Sequence, residues 1–204
     1  MISYDEFNDL QLDVMREIGN IGAGNACTAL SVLMGTPIDM SVPSVRLIKY
    51  DDVKNSLNTD DIVLGIKVKV TDDLDGMMIH IVSKAFAEKI INTFYEKKLD
   101  SLDMLDEMDA SVLNEMANIT SGAYANSLAT LTNMTVNIGT PDRVLGSIES
   151  IMVIPLEEFT TPGQQLLIID EEFIINENHI TSNMILALEQ DSLKKLFEKL
   201  GVQI

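Results

Sequence analysis

Cysteine is almost absent from this sequence. Cys27 is the single cysteine in 204 residues, so the chain can form no internal disulfide framework and no metal site built from several thiolates. The two histidines, His80 and His179, each lack a second ligand nearby in the sequence. This spacing argues against a zinc site.

Long apolar segments are also absent. The longest uninterrupted apolar run extends only from Met184 to Leu188, far short of the ~20 residues that span a bilayer. The amino terminus is acidic and lacks the features of a secretory signal. We therefore expect a soluble, cytoplasmic protein that does not insert into a membrane.

Basic residues are few. Lys and Arg number 14 against 32 Asp and Glu, which gives a net charge of −18. Nucleic acid and anionic lipid require clustered Lys and Arg, so neither is expected as a partner. Between Leu99 and Leu193 the only basic residue is Arg143, and a partner with a basic or metal-loaded face would be attracted to this half.

Several common motifs are present only in part. The segment Gly22–Cys27 has cysteine where the dinucleotide fingerprint requires its last glycine, and it lies within a helical pattern. A calcium loop starting at Thr71 would place Val82 where glutamate is required. Cys27 as a nucleophile would need a base from a distant part of the chain, so we interpret it as a buried structural cysteine. His80 is interpreted as a surface histidine or a core histidine with satisfied hydrogen bonds.

The sequence contains an internal repeat. A shift of 98 residues places residues 13–43 on residues 111–141, with eight identities and further matched apolar positions. We infer a duplication with repeats at about 1–98 and 99–204. The identical pairs are Val14/Val112, Glu17/Glu115, Asn20/Asn118, Ile21/Ile119, Gly24/Gly122, Leu30/Leu128, Leu33/Leu131 and Pro43/Pro141.

Each repeat is predicted to contain a long helix, then strands, then a shorter helix. Apolar spacing predicts the long helices at about 5–35 and 104–133. The predicted strands are Ser44–Tyr50, Ile62–Val70, Met77–Val82, Gly146–Ile154, Gln165–Ile169 and Thr181–Leu188, and the shorter helices are Lys84–Glu96 and Asp191–Leu200. The second repeat is longer, and its extra residues are placed at Glu171–Ile180 as a loop or hairpin. We predict one α/β (α+β) domain with pseudo-twofold symmetry, in which helices cover a shared antiparallel sheet.

Each long helix carries a narrow polar stripe. At ~100° per residue, Asp13, Glu17, Asn20 and Gly24 lie within about 60° of arc, as do Ser111, Glu115, Asn118 and Gly122. A single Glu-x-x-Asn would be interpreted as a solvated face. Here the stripe is duplicated, and it keeps Asn, a mediocre helix former, and Gly, which costs ~1 kcal/mol relative to Ala. These features favour a functional surface that another molecule approaches closely.

The pattern Asp/Ser-x3-Glu-x2-Asn-x22-Pro resembles the signature of the CheC/CheX/FliY family of chemotaxis phosphatases. It occurs twice, as Asp13, Glu17, Asn20 and Pro43 and as Ser111, Glu115, Asn118 and Pro141. Two copies in about 200 residues resemble the CheC branch. CheX is shorter and has one motif, and FliY continues into a flagellar switch domain, for which we expect no residues after Ile204.

The resemblance implies hydrolysis of the aspartyl phosphate of the response regulator CheY. Asn20 and Asn118 would position the attacking water, because a carboxamide both donates and accepts hydrogen bonds. Glu17 and Glu115 would bind the active-site lysine of CheY. No cofactor of the protein's own is expected, since phosphorylated CheY supplies Mg²⁺. The family also implies a second partner, CheD, and a fused duplication suggests a monomer.

Some assignments stay open at this point. Asp13, Ser111, Pro43 and Pro141 are treated as supporting residues, and Gly24 and Gly122 would give clearance either to the partner or to helix packing. An alternative function is a non-catalytic module that binds CheD or a response regulator. An unrelated cysteine enzyme, dependent on Cys27, is a third hypothesis.

Overall fold

The computed structural model describes residues 7–49, 52, 57, 62–159, 165–175 and 177–202. These residues form five helices and an eight-stranded antiparallel sheet. The helices are α1 (Asp9–Met34), α2 (Lys84–Asn92), α3 (Glu107–Thr132), α4 (Ile148–Phe159) and α5 (Gln190–Lys199). The strands are β1 (Ile38–Met40), β2 (Ser44–Lys49), β3 (Ile62–Asp72), β4 (Gly76–Val82), β5 (Val136–Ile138), β6 (Asp142–Ser147), β7 (Gln165–Ile175) and β8 (Asn178–Leu188).

The 98-residue shift maps α1 onto α3, β1 onto β5 and β2 onto β6 with identical bounds. The helix ends correspond as well. Asn8 and Asp106 each cap their helix through a reciprocal capping box, and Gly35 and Asn133 each end it in the left-handed conformation. These are standard signals for starting and stopping a helix. The two repeats therefore fold alike from the same local signals.

Each repeat completes the sheet of the other. The strand order is β1-β7-β8-β4-β3-β5, with β2 also paired to β7 and β6 also paired to β3. Thus β1 and β2 of the first repeat pair with a strand of the second, and β5 and β6 pair with β3 of the first. β4 and β8 join the repeats at the centre. The predicted shared antiparallel sheet is confirmed.

Helices cover both faces of the sheet. Tyr124 and Leu128 of α3 pack with Met15 and Ile18 of α1 and with Phe197 of α5 on one face. Further along the same face, α2 packs against the other ends of α1 and α3. Helix α4 covers the opposite face. Because both faces are covered, every residue of β4 is buried, as expected for a strand at the centre of a three-layer fold.

One predicted strand is wrong. The segment 146–154 was predicted as a strand, but β6 ends at Ser147 and Ile148–Phe159 is helix α4. The buried residues of α4 recur at helical spacing, at Ile148, Ile151, Met152, Pro155 and Leu156. Pro155 lies in the third turn and obscured this pattern, because proline inside a helix removes a hydrogen bond and is uncommon there.

Smaller differences concern lengths. The helix predicted at Lys84–Glu96 ends at Asn92. The helix predicted at Asp191–Leu200 ends at Lys199, and Gly201 shortly after it has the left-handed conformation. The extra residues of the second repeat lie partly in the β7–β8 hairpin, as predicted, and partly between β6 and β7. Tyr50, at the end of a predicted strand, lies outside the described residues.

Candidate functional site

Helices α1 and α3 pack directly against each other, which fixes the orientation of both polar stripes. Gly22 of α1 faces the ring of Tyr124, and a Cβ at Gly22 would lie 2.5 Å from Tyr124 Cδ1. Nearby, Asn25 Nδ2 donates to Ser127 Oγ at 3.3 Å. The missing side chain of Gly22 thus admits Tyr124, which is one physical reason for the glycines of α1.

The stripe residues lie on the outer sides of the packed helices. Asp13, Glu17 and Asn20 are exposed, whereas the buried residues of α1 lie on its other side. Ser111 and Glu115 are likewise exposed, and Asn118 is half-buried. The structure therefore presents the four predicted site residues, Glu17, Asn20, Glu115 and Asn118, at the surface.

A groove runs beside each stripe, between the long helix and the turn after the short strand. Groove 1 has a volume of about 730 Å³ and is lined by residues that include Asn20, Gly24, Cys27, Val32, Val42 and Pro43. Groove 2 has a volume of about 540 Å³ and is lined by residues that include Ser111, Asn114, Glu115, Asn118, Pro141 and Arg143. Asparagine and proline of the motif therefore border a groove in both copies.

The two grooves differ in which motif residues they contain. Glu115 and Asn118 both line groove 2, and so does Ser111. Asn20 lines groove 1, but Glu17 lies outside its lining, on the exposed surface one turn earlier. Asp13 forms an ion pair with Arg16 at 2.6 Å. The structure brings the whole predicted pair together in groove 2 and only its asparagine into groove 1.

The stripe glycines are not required by packing within the chain. A Cβ at Gly24 would meet no atom within 4 Å, and one at Gly122 would make only an ordinary contact, at 3.7 Å from Ile138. Of the two explanations offered for these glycines, helix packing is therefore contradicted by the structure. Clearance for an approaching partner stays a prediction.

Cys27 is half-buried rather than fully buried, and it lines groove 1. Burial, with smaller contributions from the carboxylates of Glu171 and Asp39, raises the pKa of its thiol to about 11. A nucleophilic cysteine requires the thiolate. The cysteine-enzyme hypothesis is therefore disfavoured at neutral pH.

His80 is a core histidine with a hydrogen-bond partner. Its side chain is 1% exposed and its Nε2 lies 2.9 Å from Ser121 Oγ. Burial lowers its pKa to about 4, so the ring is neutral at pH 7. Among the residues that the structure describes, no group of three or more His, Cys, Asp or Glu could hold a metal ion. In the same part of the chain, no helix is long and apolar enough to cross a membrane.

Sequence reasoning missed a buried carboxylate that contacts helix α3. Glu171 of β7 is 2% exposed and accepts a hydrogen bond at 2.7 Å from the hydroxyl of Tyr124. Burial raises the pKa of Glu171 to about 7, although the Tyr124 hydrogen bond lowers it. In β7 three consecutive acids, Asp170, Glu171 and Glu172, lie between continuous apolar residues, so the sequence did not show which of them would point inward.

Comparison with known proteins agrees with the repeated motif. The model of the CheC-like family matches residues 10–46 and 108–145, which contain both stripes and both motif prolines. The chain is similar to the CheC-like family in both of its repeats. Both matched segments run from a long helix to the strand that follows its motif proline, so the family resemblance is concentrated at the two grooves.

Individual relatives extend the CheC-like resemblance to the whole chain. The chain is 29% identical over 210 residues to a CheY-P phosphatase CheC of Bacillus subtilis (strain 168), covering 100% of both. It is 27% identical to the flagellar motor switch phosphatase FliY of the same organism, over 67% of this chain and 36% of that protein. The crystal structure of Thermotoga maritima FliY has the same fold, with a TM-score of 0.74 and 24% identity over 96% of this chain and 98% of that one.

Proposed function

We propose that this protein is a phosphatase that hydrolyses the aspartyl phosphate of the response regulator CheY. One observation carries the proposal: the duplicated Glu-x-x-Asn stripes are exposed on packed helices and border open grooves. A surface of this kind is accessible to a folded protein substrate. The names of its relatives, CheY-P phosphatase and flagellar motor switch phosphatase, support the same reaction.

An aspartyl phosphate is already reactive, so the helper protein has little covalent work to do. Water attacks phosphorus as the bond from phosphorus to the carboxylate oxygen breaks. The products are the aspartate carboxylate and inorganic phosphate, and the water proton leaves with the phosphate or to solvent. Catalysis then depends on positioning and on electrostatic stabilisation. Phosphorylated CheY, with the Mg²⁺ bound to it, is the substrate.

The roles of the four site residues follow from their chemistry. The carboxamides of Asn20 and Asn118 accept a hydrogen bond from water and donate one, which holds the water in line with phosphorus. The carboxylates of Glu17 and Glu115 form a charge-assisted hydrogen bond with a lysine of CheY. Neither role requires the carboxylate to change its protonation state.

Groove 2 fits this mechanism more completely than groove 1, because Glu115 and Asn118 both line it. Groove 1 has Val32 and Val42 on its rim, and they are 81% and 80% exposed. Exposed apolar side chains favour contact with another protein. The exposed apolar rim of groove 1 therefore favours the alternative function, in which the protein binds CheD or a response regulator without catalysis.

The duplication also bears on assembly. Each repeat supplies strands that complete the sheet of the other, so the fused chain already contains both copies of the interface. We accordingly propose a monomer that acts on phosphorylated CheY in the cytoplasm, with CheD as a second partner.

The decisive test compares turnover with binding. Phosphorylated CheY in Mg²⁺ is mixed with this protein, and both phosphate release and complex formation are measured. Faster release at substoichiometric protein supports the phosphatase. Binding of CheY or CheD without any change in release would contradict it and would establish the non-catalytic module instead.

A further inference from the structure

Arg143 is the one positively charged residue in the lining of groove 2. It lies on β6, opposite Ile66 of β3, and its side chain is exposed. It lines the same groove as Glu115 and Asn118. Sixteen Asp and Glu lie between Leu99 and Leu193, yet Arg143 is the only basic residue in that range. The single Lys or Arg between Leu99 and Leu193 therefore lies at the proposed catalytic groove.

The guanidinium of Arg143 is not occupied by any described carboxylate. The neighbouring Asp142 is held by Lys67, whose Nζ lies 3.0 Å from Asp142 Oδ2. That hydrogen bond lowers the pKa of Asp142. No described acid lies within ion-pair distance of Arg143, although Glu107 and Glu115 line the same groove, and the charge of Arg143 contributes to the lowered pKa of Asp142. An exposed arginine in a strongly acidic region remains available for a ligand.

A second unmet hydrogen-bonding group lies in the same groove. The side-chain oxygen of Asn114 is buried and, within the described part of the chain, accepts no hydrogen bond. Buried polar atoms in folded proteins nearly always have a partner. The Asn114 oxygen is buried beneath the surface of groove 2, so the groups that groove 2 offers to a docking molecule are the N–H donors of Arg143.

The fold itself does not require the arginine. The equivalent position in the first repeat is Val45, which is 4% exposed and belongs to the core. Val45 packs against the bare backbone of Gly19, where an added Cβ would lie 3.3 Å from Val45 Cγ2. The counterpart of Gly19 in α3 is Ala117, whose methyl group is buried. The first repeat uses this strand position for packing, and the second uses it for an exposed charge.

We propose that Arg143 binds an anionic oxygen of the phosphorylation site of the regulator when that site occupies groove 2. This inference rests on the proposed function. A guanidinium presents its N–H groups as a planar fork that matches phosphate or carboxylate. During phosphoryl transfer the negative charge spreads over the equatorial oxygens, where a fixed cation stabilises it. Among the described residues that line groove 1, the charged one is Asp39, an acid.

The test measures groove 2 alone. The kcat and KM for phosphorylated CheY are measured for three proteins: Asn20→Ala with Arg143 intact, Asn20→Ala with Arg143→Ala, and Asn20→Ala with Arg143→Lys. A charge-assisted hydrogen bond contributes about 1.5–3 kcal/mol, so we expect kcat/KM to fall roughly 10- to 100-fold in Arg143→Ala and less in Arg143→Lys. A fall in kcat identifies a phosphoryl oxygen as the contact, and a rise in KM alone identifies a carboxylate of the regulator.

Lys194→Ala is the matched control for removing one positive charge. Lys194 is exposed on α5, outside both grooves, with Glu198 at 3.8 Å, and its loss should leave turnover unchanged. Equal kcat/KM in Arg143 and Arg143→Ala would overturn the inference. If Arg143→Ala lowered kcat/KM equally in the Asn118→Ala background, the inference would also be overturned, because Arg143 would then act through the fold. If Asn20→Ala abolished phosphate release while Asn118→Ala kept it, groove 2 would not be the catalytic groove and the inference would also be overturned.

A binding measurement separates this inference from the proposed function. If wild type does not release phosphate from CheY, the proposed function fails. The affinity of wild type and Arg143→Ala for phosphorylated CheY still tests the arginine. Binding at least tenfold weaker in Arg143→Ala supports the contact, and equal binding overturns it.

Discussion

Gly22 of α1 and Tyr124 of α3 fit together so closely that no side chain can replace the glycine without displacing the ring. A Cβ at Gly22 would lie 2.5, 2.7 and 2.8 Å from three ring atoms of Tyr124. The ring is fully buried, and its hydroxyl donates to Glu171, so it cannot move aside freely. This contact sets the approach of the two helices that carry the stripes.

Gly22→Ala is therefore expected to destabilise the protein. Overpacking of a core costs about 1–3 kcal/mol, which outweighs the gain of up to ~1 kcal/mol in helix propensity. Unfolding in urea measures the change. Gly24→Ala is the matched control: its Cβ would meet nothing within 4 Å, so only the propensity gain remains and stability should rise. If both variants were stabilised alike, the packing explanation would be wrong.

Glu171 makes stability depend on pH. Its pKa is raised from the usual 4.5 to about 7 in the folded protein, so folding favours the protonated carboxyl. The stability contributed by this residue is complete below about pH 4.5 and is lost as pH rises through about 7. In Glu171→Gln this loss is absent. We expect the variant to gain up to roughly 3 kcal/mol relative to wild type between pH 4.5 and 8. Parallel stability curves over this range would contradict the assignment.

Cys27 should be chemically slow and dispensable. A thiol with a pKa of about 11 is almost entirely protonated at pH 7.5, and the protonated form is a poor nucleophile. We expect iodoacetamide to alkylate Cys27 much more slowly than a free cysteine, and Cys27→Ala to retain phosphate release. Rapid alkylation that abolishes turnover would instead revive the cysteine-enzyme hypothesis.

The repeat was readable from the sequence because the signals that define it are local. The identities at Glu17/Glu115 and Asn20/Asn118 fall on helices whose caps also correspond, Asn8 with Asp106 and Gly35 with Asn133. Helical periodicity over 26 residues is a strong pattern. The two long helices and their exposed stripes could therefore be predicted, whereas helix α4 was predicted as a strand. The short strands β1 and β5, of three residues each, are too short to show any periodicity.

Long-range features could not be read in the same way. The pairing of β6 with β3, which brings Arg143 to groove 2, joins residues far apart in the chain. The sequence singled out Arg143 as a basic residue in an acidic segment, but Arg143 precedes the predicted strand at Gly146–Ile154, so its strand position beside groove 2 was not foreseen. The inward position of Glu171 depends on Tyr124 of another element. Local pattern located the stripes, whereas tertiary packing made the two grooves different.

The most direct measurement of the central claim is phosphate release from Mg²⁺-loaded, phosphorylated CheY with four proteins: wild type, Asn20→Ala, Asn118→Ala and the double variant. Removing a water-positioning carboxamide should lower turnover at its own groove by about 100-fold or more while sparing binding. We predict that the double variant binds CheY but is silent, and that Asn118→Ala loses more activity than Asn20→Ala, because Glu115 and Asn118 share groove 2. A double variant that releases phosphate as fast as wild type would contradict the account.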